Sequence, residues 1–339
     1  MAIKTSGNGS LQGTVIPSLA LKEVLYRAPA FERFDAACEK RKIPSQTTNS
    51  IIVRRWLNPA VNSNPEPEGV TPVFRGLVGE DFTGMLQRYS EVFATTRYDF
   101  VLDPWDAVEG SSDVLADLIK STQERIRQIA AFSGSNVLYN SSAISSRATV
   151  NGVITKGRLQ KGSVSIGASK GRTFTQDQMA VDKFNTTAIE SGFYFFHHTN
   201  MIPDVRAIPD VILLPQMAER KGLPAGTWAA TEKVIFVEQP EIQILAGAGG
   251  TNSLLYNTTS KVDVYQSFLC AKGALLSIGL EGSGKEGFGN MAITVLDKAD
   301  KSDPTNTRAL VSAAWMDLCM LVSNDWGVRY ETGATANPA

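Results

Sequence analysis

The sequence predicts an α+β fold that combines a β-ribbon, one long helix and a region of short strands and helices. Two segments rich in β-branched and aromatic residues, 51–57 and 89–96, indicate the ribbon. A repeat of apolar residues every three or four positions over 112–133 indicates the helix. Short apolar runs over 140–280 indicate the mixed region. The chain shows no internal repeat.

The tip of the ribbon is predicted to be irregular. Proline cannot donate to a strand ladder and glycine weakens strand interiors. Arms of about 15 residues would reach roughly 50 Å, and an isolated ribbon is marginal in water. We therefore expect the ribbon to lie on another copy of the chain. The residues of this kind that lie between the two arms are Pro59, Pro65, Pro67, Gly69, Pro72, Gly76, Gly79 and Gly84.

The long helix is the strongest helical signal in the chain. Gly110-Ser111-Ser112 is a start signal and Gly134 an end signal for a helix of about 20 residues. Its predicted apolar face contains Val114, Leu115, Leu118, Ile119, Thr122, Ile126, Ile129 and Ala130. Its predicted polar face contains Lys120, Gln123, Glu124, Arg127 and Gln128.

The remaining elements are shorter. We expect buried strands at 193–197 and 234–237, a helical turn at 203–208 and a strand at 262–269. Near the C-terminus, 310–322 is strand-like, 324–325 forms a turn and 326–330 alternates apolar and polar residues, which predicts a hairpin. The first fifty residues begin with a Gly/Ser/Asn stretch and then show a helical pattern interrupted by Pro29. This is typical of an arm that orders on contact with a partner.

Composition excludes several classes of protein. The 339 residues suit two closely packed domains, and 43% hydrophobic with 20% charged residues is typical of globular proteins. A formal net charge of −1 argues against a wholesale electrostatic grip on nucleic acid. No run approaches the roughly 20 apolar residues that span a bilayer, and residues 1–7 lack a secretory apolar core. We expect no membrane contact.

The cysteines predict neither a disulfide framework nor a thiolate zinc site. Cys38, Cys270 and Cys319 are odd in number and widely spaced. We expect three free thiols, with Cys270 and Cys319 buried in apolar runs.

A phosphate-loop motif and a nucleophile-elbow motif nearly occur. Residues 279–286 match the phosphate loop except at the last position, where Glu286 replaces the magnesium-binding hydroxyl. Residues 167–171 match the nucleophile elbow around Ser169, with 164–166 as its possible strand. A serine hydrolase also needs a histidine base, and His197 and His198 follow too closely for the usual order. We expect a flexible glycine loop and a polar turn, with a Ser169 hydrolase as an unfavoured alternative.

The adjacent histidines do not predict a metal site. His197 and His198 on one strand would point to opposite faces, so they cannot share a metal without a bulge. We expect one in the core and the other exposed. Since no catalytic or metal-binding cluster emerges elsewhere, we predict no enzyme activity and no cofactor.

One stretch of the chain is entirely basic in its charged residues. Between Arg125 and Gln176 there is no Asp or Glu. Such a stretch is either solvated surface or a face turned toward a polyanion. Its basic residues are Arg125, Arg127, Arg147, Lys156, Arg158, Lys161, Lys170 and Arg172.

The order of flexible arm, ribbon, single long helix, mixed region and C-terminal strands resembles the major capsid protein of tailed bacteriophages, with the Hong Kong 97-type fold. Short strings over about 40–331 are similar to the podovirus lineage named after phage N-four. These strings are Arg41-Lys42-Ile43-Pro44, Pro67-Glu68-Gly69-Val70-Thr71-Pro72, Ser133-Gly134-Ser135-Asn136-Val137-Leu138-Tyr139, Asp303-Pro304-Thr305-Asn306-Thr307-Arg308-Ala309 leading to Trp315, and Asn324-Asp325-Trp326-Gly327-Val328-Arg329-Tyr330-Glu331. The segment 203–228 departs most from the family pattern.

The resemblance implies a division of the chain. Residues 1–48 would be an N-terminal arm, and 49–100 an extended β-hairpin loop that lies on the neighbouring subunit. Residues 101–139 would form a peripheral domain with a spine helix, and 140–280 an axial domain. Residues 281–339 would return to the peripheral domain as strands and a C-terminal tail. Candidate assembly contacts in the loop are Arg54, Arg55, Trp56, Phe74 and Arg75.

The resemblance also implies partners and a location. Pentamers and hexamers would build an icosahedral head in the virion, assembled in the host cytoplasm, with a portal and possible scaffolding or cement proteins. The head would enclose double-stranded DNA, held by non-specific contacts. An encapsulin-like compartment shell is the alternative within the same fold. No lysine lies between Lys42 and Lys120, so the loop cannot supply the lysine of the lysine–asparagine crosslink known in this fold. The candidate DNA-facing residues are Arg147, Lys156, Arg158, Lys161, Lys170 and Arg172.

Overall fold

Two β-sheets and a long helix that contacts both form the body of the chain. The computed structural model describes residues 30–44, 48–63, 65, 68–69, 74–96, 107–174, 191–216, 223–281, 292–296, 303–305 and 307–336. The helices are α1 (Ala107–Phe132), α2 (Lys156–Ala168) and α3 (Ile202–Arg206). Single 3-10 turns lie at Phe34–Ala37, Arg147–Thr149, Thr199–Met201, Leu214–Gln216 and Asn324–Trp326.

The strands of the described residues fall into two main sheets and two small pairs. Their bounds are β1 (Cys38–Ile43), β2 (Ser50–Trp56), β3 (Gly79–Met85), β4 (Gln87–Thr96), β5 (Val137–Tyr139), β6 (Phe193–His197), β7 (Ile212–Leu213), β8 (Thr227–Thr231), β9 (Val234–Glu238), β10 (Ile244–Leu245), β11 (Asn257–Thr258), β12 (Lys261–Val262), β13 (Val264–Cys270), β14 (Leu275–Leu280), β15 (Ala292–Leu296), β16 (Arg308–Leu321) and β17 (Gly327–Thr332).

The five-stranded sheet is organised by β16. One edge of β16 pairs with the whole of β4, through residues 308–317 of β16, and the other edge pairs with β15 and then β14. The first described strand, β1, adds in parallel to the far side of β14. The sequence did not predict β1, because four of its six side chains are exposed and charged. Such charges are typical of an edge strand that must not recruit another chain.

The eight-stranded sheet runs in the order β5, β17, β13, β6, β9, β8, β7, with β10 paired to β13. Strand β6 is buried on both faces, as its uninterrupted apolar sequence predicts. Tyr194 and Phe196 pack on one side with Phe34 and Phe132, whereas Phe195 packs on the other side with α2 and α3. The predicted strands at 193–197, 234–237 and 262–269 and the helical turn at 203–208 are thus confirmed within a few residues.

The predicted C-terminal hairpin is wrong. Strand β16 lies in the five-stranded sheet, but β17 lies in the eight-stranded sheet between β5 and β13. The turn at Asn324–Trp326 therefore carries the chain from one sheet to the other rather than reversing it within one. Strand β17 pairs with β5 and β13, which come from residues 137–270.

Helix α1 connects the two sheets. Near its start, Leu115 and Ile119 pack against Trp315 of β16, and near its end Ala131 and Phe132 pack under the eight-stranded sheet. The helix is confirmed, and it extends slightly beyond the predicted start. In the part of the chain that the structure describes, no helix has the length and apolar character needed to cross a membrane.

The predicted faces of α1 are partly wrong. Glu124, Arg127 and Gln128 are buried, although the sequence placed them on the polar face. Val114 and Ile129, placed on the apolar face, are exposed. The cause is that α1 packs against an N-terminal segment, 31–37, which covers the polar side of the helix.

The three cysteines are free thiols, as predicted. Cys270 is fully buried, and burial raises the pKa of its thiol well above the usual value. Cys319 was predicted to be buried and is only partly buried. Its side chain packs against the apolar cluster that contains Phe34 and Ala37 but is not enclosed by it.

Candidate functional site

A β-hairpin formed by β2 and β3 is the most exposed apolar feature of the described chain. The two strands pair antiparallel from Ser50–Met85 to Trp56–Gly79, so each arm is seven residues long. At about 3.3 Å per residue the hairpin reaches roughly 23 Å, less than half the predicted length.

The predicted return arm, 89–96, is wrong. These residues form β4, which pairs with β16 in the body of the molecule. Tyr89 and Phe93 of β4 pack with Trp315 and helix α1. The true return strand contains Gly79 and Gly84, which the sequence assigned to the irregular tip.

One face of the hairpin is anchored to its own chain. Ile51 and Val53 pack against the apolar cluster of Leu318 and Met320 on β16. Gly84 lies opposite Ile51, and a Cβ there would be 2.2 Å from the Met320 Cε atom, so glycine permits this close approach. We call this the inner face. Its presence corrects the expectation that the whole hairpin depends on another copy.

The inner face also carries an arginine contact near the tip. Arg55 donates to Glu80 at 2.7 Å, and its guanidinium lies 5.7 Å from the ring centre of Trp326. Trp326 sits in the turn between the two sheets and donates its indole N–H to the Ser169 carbonyl at 3.0 Å. The hairpin is therefore fastened to the body at its base and along its inner side.

The opposite face of the hairpin, which we call the outer face, is solvent-exposed and apolar. Ile52 is 66% exposed, Trp56 is 55% exposed, and Met85 opposite Ser50 is 58% exposed. A strand alternates its side chains between two faces, which explains why Ile51 is packed and Ile52 is free. On this face Ile52 and Trp56 flank the exposed Arg54–Asp81 pair, and a group of large exposed apolar side chains on one face indicates an interaction site.

Arg54 holds the outer face in shape. Its guanidinium makes two hydrogen bonds to Asp81, at 2.6 and 2.7 Å, and lies 5.5 Å from the Trp56 ring centre. The hydrogen bonds from Arg54 lower the pKa of Asp81. This cross-strand pair fixes the register of β2 against β3 and positions Trp56.

The described part of the tip contributes further exposed apolar groups. Val61 and Phe74 are almost fully exposed, at 91% and 93%. Arg75 donates to the Ala60 carbonyl at 2.7 Å, which draws the two sides of the tip together. Of the predicted assembly contacts, Arg54, Trp56, Phe74 and Arg75 are exposed, while Arg55 is turned inward.

The candidate DNA-facing residues divide into two groups. Arg147 makes a two-point contact with the buried Glu331, at 2.9 and 2.6 Å, and Lys156 lies 2.6 Å from Asp210 and 3.2 Å from Glu232. Although burial acts to raise it, the pKa of Glu331 is lowered by Arg147. Arg147 and Lys156 are therefore both paired with carboxylates of their own chain.

The second group is more accessible. Lys161, Lys170 and Arg172 are exposed and Arg158 is partly exposed. None of these four takes part in the ion pairs recorded among the described residues. Arg158 and Lys161 lie three positions apart on α2, which places them on neighbouring parts of the helix surface.

Ser169 does not lie in a nucleophile elbow. Residues 164–166 are helical, so Ser169 follows a helix instead of a strand and sits in the predicted polar turn. Most of the phosphate-loop motif lies outside the described residues. Within those residues, His, Cys, Asp and Glu side chains form no cluster suited to a metal ion.

The two histidines are structural. His197 is buried, accepts a hydrogen bond from the Trp228 indole at 2.8 Å, and lies 3.0 Å from the His198 carbonyl through Nδ1. Burial lowers its pKa to about 4, so the ring is neutral at pH 7. His198 is half-buried rather than exposed, because its Nδ1 accepts the Asn200 N–H and caps the following turn.

Comparisons with known proteins identify the fold. No protein-family model and no curated protein matches the chain. Among solved structures, the capsid protein of cyanophage Pam1 covers 98% of this chain and 100% of its own, with 14% identity and a TM-score of 0.63. The capsid protein of Ralstonia phage GP4 covers 99% and 100%, with 11% identity and a TM-score of 0.64.

A non-viral shell protein is also similar. An encapsulin of Synechococcus elongatus covers 95% of each chain, with 10% identity and a TM-score of 0.56. At these identities the matches establish the fold, which is the Hong Kong 97-type fold over nearly the whole chain. The N-four-like lineage stays a prediction.

Proposed function

We propose that this chain is the major capsid protein of a tailed bacteriophage and that its copies assemble into a closed icosahedral shell around double-stranded DNA. The exposed apolar outer face of the hairpin carries this proposal, because it lies on a fold otherwise used by shell proteins. The Ile52, Trp56 and Phe74 side chains would be buried against a neighbouring copy. The proposed role is structural and involves no catalysis.

The geometry favours a repeated contact between copies. The inner face of the hairpin is packed on its own chain, so its outer face is left for a neighbouring copy, and we infer that it meets a different surface of that copy. A contact between two different surfaces closes into a ring when rotation returns to the start. Pentamers and hexamers are such rings. Within each subunit we assign residues 101–139 to a peripheral domain and residues 140–280 to an axial domain.

Electron microscopy of the purified chain tests the assembly. We expect closed particles, either from the chain alone or when scaffolding and portal proteins of the same source are added. The nucleic acid content of the particles then distinguishes a phage head from an encapsulin-like compartment. Double-stranded DNA in particles from infected cells supports a phage head. Enclosed cargo enzyme without DNA would instead support an encapsulin-like compartment, and a monomer under every condition would contradict both.

The accessible cations of α2 are proposed to contact the packaged DNA. Phosphate contacts by Lys and Arg release counterions, so losing two of them should lower the salt slope of binding by about 1.8. We expect Arg158→Glu with Lys161→Glu to reduce the DNA retained per particle more than the yield of particles. Quantitative DNA extraction from purified heads at several salt concentrations measures this.

The matched control reverses two exposed lysines outside the basic stretch, Lys42→Glu with Lys261→Glu. This variant carries the same change in net charge, so it should retain as much DNA as the wild type. Equal loss of DNA in both variants would show a general charge effect and would contradict a specific DNA-facing role for α2.

A further inference from the structure

Helix α1 contains a buried carboxylate, Glu124, at its contact with the N-terminal segment 31–37. Its side chain is fully inaccessible to solvent. One oxygen, Oε1, accepts three hydrogen bonds: from the backbone N–H of Arg33 at 3.0 Å, from that of Phe34 at 2.9 Å, and from the Gln239 amide at 2.6 Å. Three donors on one buried oxygen make Glu124 the principal polar link between α1 and the N-terminal segment 31–37.

Gln239 and Phe34 complete the link. The Gln239 amide nitrogen also donates to the Phe31 carbonyl at 2.8 Å. The Phe34 ring is fully buried, stacked 4.3 Å from Phe196 and edge-on to Phe132 at 6.0 Å. We name Glu124, Gln239 and the Phe31–Phe34 backbone the N-terminal clamp. It holds the first described residues of the chain on α1.

The second oxygen of Glu124 is poorly satisfied. Oε2 is buried without a hydrogen-bond partner, and its nearest cation, Arg127 Nη1, is 3.8 Å away. Arg127 is committed to Asp35, at 3.0 Å, on the N-terminal segment. An ionised carboxylate with one unpaired buried oxygen is costly, and protonation lowers that cost because a neutral hydroxyl is less costly to bury than a charge.

Charged groups face this site from every packed element. Arg127 comes from α1, Glu32 and Asp35 from the N-terminal segment, and Asp317 from β16. The thiols of Cys38 and Cys319 lie beside Arg127, and Glu241 accepts a hydrogen bond from Ser121 one turn before Glu124. Acidic groups outnumber Arg127 here, which leaves Glu124 without a full counter-charge.

We propose that Glu124 is a proton-controlled clamp: its neutral form holds segment 31–37 firmly on α1, and its ionised form loosens that segment and so frees the base of the N-terminal arm. The inference concerns the single subunit and does not depend on the proposed assembly.

The direction of the pH effect follows from the titration. Burial raises the pKa of Glu124 from 4.5 to about 7, against the lowering effects of the Phe34 and Arg33 N–H groups and Arg127. A carboxyl whose pKa is higher in the closed state favours closure when it is protonated. The stabilisation is complete below pH 4.5 and is lost as the pH rises to about 7, beyond which it stays lost.

Hydrogen exchange of the full-length subunit tests the proposal. After correction for intrinsic exchange rates, protection of the 31–37 backbone should fall by up to about 300-fold between pH 4.5 and pH 7, the factor that corresponds to this pKa difference. Glu124→Gln replaces the carboxylate oxygen Oε1 with an amide oxygen that can accept the same hydrogen bonds, and it removes the charge. It should give a flat profile and stronger protection than wild type at pH 7.5.

A control variant separates Glu124 from its neighbours. Glu241→Gln should keep the wild-type pH profile of segment 31–37. A wild-type profile that is flat over this range would overturn the proposal. So would a Glu124→Gln subunit that is less protected than wild type at pH 7.5, since that result would mean the ionised carboxylate is the form that holds the segment.

Discussion

Replacing residues 59–76 with a short Gly-Ser turn should yield a subunit that folds cooperatively but forms no closed shells. The cut stops short of the Leu57 N–H to Val78 carbonyl bond at 2.9 Å, so β2 and β3 stay paired. The described tip residues Val61 and Phe74 are almost fully exposed and add nothing to either sheet. Their loss should therefore cost assembly and not folding.

Thermal unfolding of the subunit and electron microscopy of the assembly reaction measure the two effects. A Gly-Ser loop of the native length serves as the matched control, since it keeps the reach of the tip and removes only its side chains. If both variants fail to assemble, the side chains carry the contact. Normal shells from the short-loop variant would contradict the proposed role, and a variant that does not fold would place the tip in the core.

The sequence predicted the hairpin but paired it with the wrong strand. Residues 89–96 have the β-branched and aromatic composition of a strand, and they are one. Their partner is chosen by tertiary packing, because Tyr89 and Phe93 fit against Trp315 and α1. The true partner, Gly79–Met85, looks like a loop in sequence, and the cross-strand pairs of Arg54 with Asp81 and Arg55 with Glu80 fix its register.

The sequence could not reveal the N-terminal clamp. A helical period separates apolar from polar positions, and Glu124 follows the polar set. Its burial depends on a segment ninety residues earlier that covers this side of α1. Val114 and Ile129 follow the apolar set and are nevertheless exposed, so the helical period alone does not decide which side of α1 is covered.

The same substitution at adjacent positions of the hairpin should affect folding on the inner face and assembly on the outer face. Ile51→Asn places a polar amide in the apolar cluster of the inner face, so it should lower the free energy of unfolding by about 1–3 kcal/mol. Ile52→Asn changes a side chain that is mostly in solvent, so stability should stay within about 0.5 kcal/mol of wild type.

Assembly should show the reverse order. Ile52→Asn removes apolar area from the outer face and should raise the subunit concentration needed for shell formation, and Ile52→Asn combined with Trp56→Ser should abolish shells. Ile51→Asn should still assemble below its unfolding temperature, because its outer face is intact. Denaturant unfolding together with light scattering against subunit concentration separates the two faces. Assembly by the Ile52/Trp56 variant at the wild-type threshold would mean that neighbouring copies meet elsewhere on the molecule.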